Sequence, residues 1–322
     1  MAACARNGAI LGPSRQLDRA VSNLPTAIVV TEHVRAELLA HAPQGIAPGA
    51  EVWLGLAIEH APGWHTYWKN PGDSGLPTSL AWQLPAGVVA QEIHWPTPKA
   101  LPLGPLTNYG YVDSLLLPVP VRIEPGFAAT SLTVRLHAEW LVCEENCIPE
   151  SGDFVLELPV ATPSVAHASA FAVARGRVPT EATSVKAYAD ADDSAMLASF
   201  EGLPQALVGK TLQFFPETGG VIDHAAPLQQ KWDGDDWMVR VPLSPQRSES
   251  PPTLHAVLAA PGQMAGLRVA LPVSWPGSAG TVAAAPAGSA PAGIDWGTWA
   301  LPGAVLLTII VAWVWNHFGP KG

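Results

Sequence analysis

The sequence predicts a mostly β protein: an immunoglobulin-like antiparallel sandwich, a second, smaller β domain, and one C-terminal transmembrane helix. Of the 322 residues only 14% are charged, while 33 are proline and 29 glycine. This composition is typical of many short strands joined by tight turns. Apolar and polar residues alternate in several segments up to residue 275, as expected for sheets with one buried face. An uncharged stretch near the C-terminus predicts the helix.

The sandwich is predicted to span residues 28–162. Apolar residues occupy every second position in five segments, at 34–38, 52–58, 117–123, 132–142 and 154–160. Turn-forming residues separate these segments, so each is predicted to be a strand with one face in the core. Several such strands in succession favour an immunoglobulin-like sandwich.

The second β domain is predicted at residues 163–275. An alanine-rich stretch at 167–178 is a candidate for a short helix at its start. Strand-like segments follow at 211–215, 237–242, 254–258 and 267–273. Residues 276–294 contain mainly Gly, Ala, Pro and Ser, and such a segment is a linker that cannot build a core.

The transmembrane segment is predicted at residues 295–318. Residues 296–315 carry no charge and match the length of one membrane-spanning helix. Tryptophans at both ends of this run suit the two membrane interfaces. A buried hairpin of a soluble domain is the alternative. Lys321 after the run and Asp295 before it favour a cytoplasmic C-terminus.

Residues 1–27 are predicted to be irregular. Arg15, Asp18 and Arg19 interrupt the apolar stretch that a secretory signal would need. A start that is set wrongly, another export route and retention inside the cell are all compatible with this pattern. We expect the main domains on the outer side of the membrane that the C-terminal helix crosses.

Charge and cysteine content narrow the function. The formal net charge is −10, with 17 basic and 27 acidic residues and no Lys/Arg cluster, so nucleic acid is not an expected partner. The three cysteines are Cys4, Cys143 and Cys147. A disulfide-stapled scaffold would need more, and a chain of this size can form a core without staples. A single close pair therefore needs a specific explanation.

Cys143 and Cys147 lie in the segment WLVCEENCIPES, residues 140–151. An apolar strand runs into Cys143, three polar residues form the turn, and Cys147 begins the return strand. Cysteines that flank such a turn can reach the Cα separation of roughly 4.4–6.8 Å that a disulfide needs. Because closing so short a loop adds little chain-entropy stabilisation, a redox role explains the pair better than a structural one.

Strand parity places Cys143 on the face of His137, Glu139 and Leu141, opposite the apolar series that ends at Val142. We therefore expect its sulfur to point away from the main core, where a partner can reach it. Negative charge nearby disfavours a thiolate, so we expect thiols that react slowly outside docked complexes. The acidic neighbours are Glu139, Glu144, Glu145 and Glu150.

Two other interpretations of the pair are a structural hairpin disulfide and a metal site. Cys143, Cys147 and His137 could offer two sulfurs and one nitrogen, but zinc usually takes four ligands. A thioredoxin-type motif is excluded, because the spacing is C-x3-C and no βαβ pattern surrounds it. We expect neither a metal nor another cofactor.

Several segments resemble the N-terminal periplasmic region of DsbD/ScsB-type protein-disulfide reductases. They are GWHTYWKNPGDSGLPTSLAW (63–82), IHWPTPK (93–99), GPLTNYGY (104–111) and WLVCEENCIPESGDF (140–154). The segment FFPETGGVIDHAAP (214–227) is similar to the second periplasmic domain of longer members. The resemblance covers roughly residues 30–275.

This resemblance implies an immunoglobulin-like domain that receives electrons from a membrane-embedded domain through a thioredoxin-like domain. It implies partners that are thioredoxin-fold and other periplasmic thiol proteins, such as disulfide isomerases and cytochrome c maturation or copper-tolerance proteins. The second cysteine, here Cys147, would form the mixed disulfide, and Cys143 would resolve it.

The family also covers its cysteine pair with a loop. The matching region is 95–111, with Tyr109 and Tyr111 as candidate lids and Tyr67 and Trp68 as candidate pocket walls. Packing in the core or at the rim is the alternative for these aromatic residues.

The chain departs from the family in one respect. Full-length members continue into several transmembrane helices with a Met-Pro-Cys motif and then a thioredoxin domain. This sequence is therefore expected to be a fragment, a truncated frame or a tethered subunit. The rival interpretation is a membrane-tethered, non-catalytic binding module with a structural disulfide, which could bind copper.

Overall fold

The computed structural model describes residues 26–277, and these are mostly β, with nineteen strands and one short helix. In chain order the elements are β1 (Ile28–Val30), β2 (Val34–His41), β3 (Val52–His60), β4 (His65–Gly72), β5 (Ser79–Gln83), β6 (Val88–Ala90), β7 (Lys99–Leu103), β8 (Leu106–Val112), β9 (Ser114–Ile123), β10 (Ser131–Cys143), β11 (Cys147–Pro159), α1 (Ala168–Arg175), β12 (Thr180–Glu181), β13 (Lys186–Ala191), β14 (Ala195–Glu201), β15 (Gln213–Pro216), β16 (Gln229–Asp233), β17 (Asp236–Pro242), β18 (Thr253–Ala259) and β19 (Leu267–Ser274).

The first eleven strands form two antiparallel sheets. The disulfide sheet has the order β11-β10-β4-β8-β7, with β5 also paired to β10. The facing sheet has the order β1-β2-β3-β9-β6. Side chains from both sheets form one hydrophobic core, so the predicted immunoglobulin-like sandwich is confirmed.

The hairpin of β10 and β11 shows how the sequence pattern produces this fold. The two strands pair without a break from Ser131 opposite Pro159 to Cys143 opposite Cys147. Every second side chain of β10 is buried, while most of those between are partly or fully exposed. Burying one large apolar side chain contributes about 1.5–3 kcal/mol, so a one-residue slip in register would be costly.

The later strands form a third sheet in the order β15-β18-β19-β13-β14-β17-β16, with β12 on β19. Most of its pairs are antiparallel, but β19 runs parallel to both β12 and β13. The four strand-like segments found in the sequence between residues 211 and 273 correspond to β15, β17, β18 and β19. This sheet has its own core, which includes Phe200, Trp237 and Leu254.

Helix α1 packs on the first sandwich. Phe171 and Ala174 are buried against Leu39, Trp53 and Leu116 of the facing sheet. The backbone N–H of Gly176 donates to the carbonyl of Ala172 and ends the helix. The alanine-rich stretch is therefore helical, and it covers the first sandwich although it follows it in the chain.

The predicted transmembrane segment, nearly all of the linker and nearly all of the irregular N-terminus lie outside the described residues. Within residues 26–277, no helix is long and apolar enough to cross a membrane.

Candidate functional site

The site is a disulfide between Cys143 and Cys147 at the turn of the β10–β11 hairpin. The two cysteines are directly opposite each other in the ladder, with Cα atoms 4.2 Å apart. The backbone N–H of Glu144 donates to the carbonyl of Asn146 across the three-residue turn (3.4 Å). The register of thirteen consecutive pairs thus brings the sulfurs together.

The two cysteines differ in exposure. Cys143 is completely buried, whereas Cys147 and the turn residues before it are exposed. The expectation that a partner can reach the sulfur of Cys143 is therefore wrong. Strand parity does turn Cys143 away from the sandwich core, but at this end of β10 the outer face is covered by other parts of the chain. The accessible cysteine is Cys147.

Tyr67 covers the sulfurs. Its hydroxyl donates a hydrogen bond to Sγ of Cys143 (2.8 Å) and lies 3.4 Å from Sγ of Cys147. The side chain is fully buried, and this burial raises the pKa of Tyr67 above its usual value. The hydroxyl therefore keeps its proton at neutral pH and remains a hydrogen-bond donor.

Strand pairing explains why Tyr67 meets the disulfide. His65 of β4 pairs with Cys143 of β10, and paired residues in an antiparallel ladder share a face. Tyr67 lies two residues beyond His65 and so is on the same outer face. The ring of His65 is 5.2 Å from that of Tyr67, edge to face.

The cover loop, residues 73–78, closes over Tyr67. Gly75 adopts a φ of +104°, and a Cβ there would overlap the Tyr67 ring. The loop is fixed by Asn108, whose Oδ1 accepts hydrogen bonds from the Ser74 backbone N–H (3.1 Å) and hydroxyl (3.0 Å). The Asp73 carboxylate accepts another from the N–H of Thr107 (2.7 Å).

The other three predicted aromatic residues lie on the opposite face of the disulfide sheet. Trp68, Tyr109 and Tyr111 are buried in the sandwich core. The Tyr111 hydroxyl donates to the carbonyl of Pro96 (2.7 Å). The structure thus brings Tyr67 to the sulfurs but places the candidate lids, Tyr109 and Tyr111, and the candidate wall residue Trp68 inside the core.

The acidic neighbours are not equivalent. Glu150 accepts hydrogen bonds from the Thr31 hydroxyl (2.5 Å), the His33 N–H (3.3 Å) and the Trp140 indole (3.1 Å). Its charge is therefore satisfied within the fold. Glu144 and Glu145 are exposed in the turn beside Cys147, and Glu139 is exposed on the outer face of β10. A docking partner therefore meets these three carboxylates.

His137 is held away from the cysteines. Its Nδ1 lies 2.8 Å from Oδ1 of Asp153, and this hydrogen bond raises the pKa of His137. It also lies six residues before Cys143 on one extended strand, a distance of about 20 Å. Among residues 26–277, no three His, Cys, Asp or Glu side chains are grouped as metal ligands. The structure does not bring together the ligands considered for a metal site.

Sequence reasoning missed His65 and the cover loop. The Nε2 atom of His65 is buried without a hydrogen-bond partner, and burial lowers the pKa of this histidine, which is therefore neutral at pH 7. The period-two spacing of His65 and Tyr67 was a usable signal, but only knowledge of the β4–β10 pairing connects it to the cysteines.

An open groove of about 540 Å³ lies beside the disulfide on the same outer face. Leu141 and Pro149, the pair two steps along the hairpin from the cysteines, line it. Leu76 and Pro77 of the cover loop line it too, and Leu76 is 65% exposed. The groove thus offers an apolar contact surface next to Cys147.

Comparison with known proteins identifies a family and a solved structure that this chain resembles. The family model described as thiol:disulfide interchange protein DsbD, N-terminal, matches residues 35–159. The crystal structure of the N-terminal periplasmic domain of ScsB from Proteus mirabilis has the same fold, with a TM-score of 0.58 at 19% sequence identity. The match covers 78% of this chain and 99% of that one. No curated protein matches the sequence.

The matched residues include both cysteines, the whole β10–β11 hairpin and Tyr67. The resemblance seen in the sequence is therefore confirmed, and residues 35–159 form a domain of the DsbD N-terminal type, a type found in thiol:disulfide interchange proteins.

Proposed function

We propose that this chain is a protein-disulfide reductase component that relays reducing equivalents between thiol proteins through Cys143 and Cys147. The observation that carries the proposal is the asymmetry of the disulfide. One cysteine is exposed at a hairpin turn, while the other is buried under a hydroxyl donor. This arrangement allows attack at one sulfur and stabilises the sulfur that leaves.

The domain is reduced in two exchange steps. A thiolate of the donor protein attacks Sγ of Cys147, the S–S bond breaks, and Cys143 leaves as a thiolate. The Tyr67 hydroxyl can strengthen its hydrogen bond to Cys143 as charge develops, because bonds to ionised acceptors are stronger. The second donor thiolate then attacks the mixed disulfide and releases Cys147. The donor loses two electrons and becomes a disulfide, while the domain gains two electrons and, in all, two protons.

The reduced domain passes the electrons on by the reverse chemistry. The Cys147 thiolate attacks the disulfide of the acceptor protein and forms a mixed disulfide. Cys143 then attacks Cys147, which releases the reduced acceptor and restores the Cys143–Cys147 bond. Cys147 contacts the partner in both directions because it is the exposed cysteine.

The partners that fit this site are thioredoxin-fold and other thiol proteins. Such a partner would place an apolar side chain against Leu76, Leu141 and Pro149 while its cysteine approaches Cys147. The similarity to a periplasmic domain of ScsB supports a periplasmic location. We propose disulfide isomerases, cytochrome c maturation proteins and copper-tolerance proteins as the acceptor classes, and electron transfer to them as the role.

We also propose the domain limits and the anchoring. Residues 28–162 would be the redox domain, 163–275 a second β domain, and 276–294 a linker to a helix at 295–318 in the inner membrane. If that helix ends in the cytoplasm, the redox domain and the second β domain lie in the periplasm.

A trapping experiment tests the exchange. In Cys143→Ser, the Cys147 thiolate attacks the disulfide of an oxidised thioredoxin-fold protein. Because Cys143 is absent and cannot displace that protein, the mixed disulfide should persist as a covalent complex that dithiothreitol reduces. Cys147→Ser is the matched control and should trap far less, because Cys143 is buried. Both variants also carry Cys4→Ser, so that no third thiol can react. Equal trapping by both variants would contradict the assigned order.

Measuring the reduction potential tests the relay itself. A structural disulfide would have a value below about −300 mV and would resist reduction by a dithiol protein. We expect a higher value, in the range where exchange with thioredoxin-fold proteins is reversible. A value well below that limit would leave the domain as a non-catalytic module.

A further inference from the structure

Strand β4 connects the disulfide to the third sheet. Tyr67 contacts the sulfurs, and each of the next three residues contacts β15 or the residues just after it. The contacts are the Trp68 and Phe215 rings (centroids 6.3 Å apart), Lys69 Nζ and Glu217 Oε1 (2.7 Å), and Asn70 Nδ2 and the carbonyls of Pro216 (2.8 Å) and Thr218 (3.4 Å). Four consecutive residues therefore reach from the redox pair to a different sheet.

The Asn70 side chain is buried, and both its oxygen and its nitrogen form hydrogen bonds. The side chain is 1% exposed, and its Oδ1 accepts a hydrogen bond from the N–H of Gly72 (3.1 Å). Its Nδ2 donates to the third sheet at the same time. Asn70 thus fixes both the local shape of β4 and its position on the neighbouring sheet. Leaving such buried groups unpaired is costly.

The Lys69 contact belongs to a charged network. Arg268 of β19 donates to both oxygens of Glu217 (2.7 and 2.9 Å), and Lys69 approaches the same carboxylate. Burial alone would raise the pKa of Glu217, but these hydrogen bonds hold it below its usual value. The carboxylate is therefore ionised and attracts Lys69.

Within its own sheet β4 is weakly held. It pairs with β10 only through His65 and Cys143. Its regular pairing with β8 covers His65 to Tyr67, and the register then shifts before resuming at Gly72. The regular ladder is therefore interrupted just after Tyr67, which contacts the sulfurs, and residues of the third sheet hold β4 within this interruption.

We propose that the third sheet positions the redox site: through Asn70 and Lys69 it holds β4 so that the Tyr67 hydroxyl stays on Sγ of Cys143. This deepens the proposed function, on which it rests, since it assigns the later strands a part in the exchange reaction. Asn70 and Lys69 are positioning residues, and they act through Tyr67.

The test is a double-mutant cycle in the full chain, read as the rate at which dithiothreitol reduces the disulfide at fixed pH. Tyr67→Phe removes the hydroxyl and should slow reduction about three- to tenfold, the worth of one hydrogen bond. Asn70→Ala should also slow reduction of the disulfide, but by a smaller factor than Tyr67→Phe. The double variant should be no slower than Tyr67→Phe alone.

A matched control breaks a different contact between the sandwich domain and the residues after it, one that does not involve β4. The Thr97 hydroxyl accepts from the N–H of Gly266 (2.7 Å) and donates to the carbonyl of Arg177 (2.9 Å). Thr97→Ala weakens that contact without touching β4, so its reduction rate should equal that of the unmodified chain. If Thr97→Ala slows reduction as much as Asn70→Ala, general loosening explains the effect and the proposal fails.

Lys69→Ala repeats the test at a half-exposed residue, in case Asn70→Ala does not fold. It should slow reduction, and Lys69→Arg should restore the rate. Full-rate reduction of folded Asn70→Ala or Lys69→Ala, or effects that multiply with Tyr67→Phe, would overturn the positioning role. Because dithiothreitol needs no protein partner, this outcome is separate from failure of the relay, which shows as no exchange with a thioredoxin-fold protein.

Discussion

The two faces of the disulfide sheet use the same residue types for different purposes. On the inner face Trp68, Trp140 and Tyr111 are buried among apolar side chains of both sandwich sheets. On the outer face Tyr67 is equally buried, but its hydroxyl contacts the sulfurs. Tyr67 and Trp68 are adjacent in sequence and on opposite sides of the sheet. Strand parity, more than the presence of an aromatic side chain, therefore decides which residues belong to the site.

The largest effect on stability should come from the inner face. Trp140→Ala removes a side chain that is 2% exposed, together with its hydrogen bond to Glu150, and should lower the free energy of unfolding by about 3–5 kcal/mol. Urea unfolding measures this, with Trp140→Phe as the milder control. If Trp140→Ala lowered the free energy of unfolding by less than about 1 kcal/mol, the inner face would not be the more stabilising of the two faces.

The groove on the outer face should affect partners without affecting folding. Leu76→Ser removes an exposed apolar side chain, so the unfolding midpoint should stay unchanged. Losing the burial of a leucine in the docked complex should reduce kcat/KM with a thioredoxin-fold reductant at least about tenfold. Reduction by dithiothreitol is the internal control and should be unaffected. Equal slowing of both reactions would mean that Leu76 acts on the disulfide and not on docking.

Tyr67→Phe should have a smaller effect on stability than Trp140→Ala. The ring still fills its site under Gly75, so the free energy of unfolding should change by less than about 1.5 kcal/mol. In the reduced protein the Cys143 thiolate loses a donor, and the pKa of its thiol should rise. Thiolate absorbance during a pH titration measures this. An unchanged titration curve would show that the hydroxyl does not stabilise the leaving sulfur.

The smallest expected effect on stability comes from His137, which lies on the same outer face but far from the sulfurs. Asp153 raises the pKa of His137 in the folded state. The pair therefore contributes stability that is fully present below the unfolded pKa of about 6.5 and is lost as pH rises through the folded pKa. Both side chains are exposed, so solvent limits the contribution to a few tenths of a kcal/mol.

Asp153→Asn is the check on this pair. It should remove most of the pH dependence that the unfolding free energy shows in that window, and leave the smaller part due to Glu139, whose Oε1 lies 3.8 Å from Nε2 of His137. Added salt should mimic the variant. An undiminished dependence in Asp153→Asn would contradict the role of this pair.

The sandwich could be predicted well from the sequence because the alternation of apolar and polar residues lies within each single strand. Period-two patterning in β10 and β11 predicted both strands, their buried face and the meeting of Cys143 with Cys147. The burial of Cys143 could not be predicted this way, since it depends on β4 and the cover loop, about 70 residues away in the chain. Tyr109 and Tyr111 were expected near the sulfurs through a family resemblance, but their own alternation with Gly110 places them in the core.

The third sheet was predicted as part of a second β domain from four strand-like segments, and its other strands were not predicted individually. Its contacts with β4 depend on single polar residues such as Asn70, and neither composition nor periodicity identifies such a residue as a contact. Alternation of apolar and polar residues along a strand predicts that one face is buried, but it does not predict which sheet packs against that face.

Gly75 has a consequence for how this site can vary. Its backbone conformation suits glycine, and the space where a side chain would begin is occupied by the phenol ring. Even a methyl group would have to displace that ring, whose hydroxyl contacts the inner sulfur. The single hydrogen atom on the Gly75 α-carbon thus leaves the space in which the phenol ring packs beside Cys143.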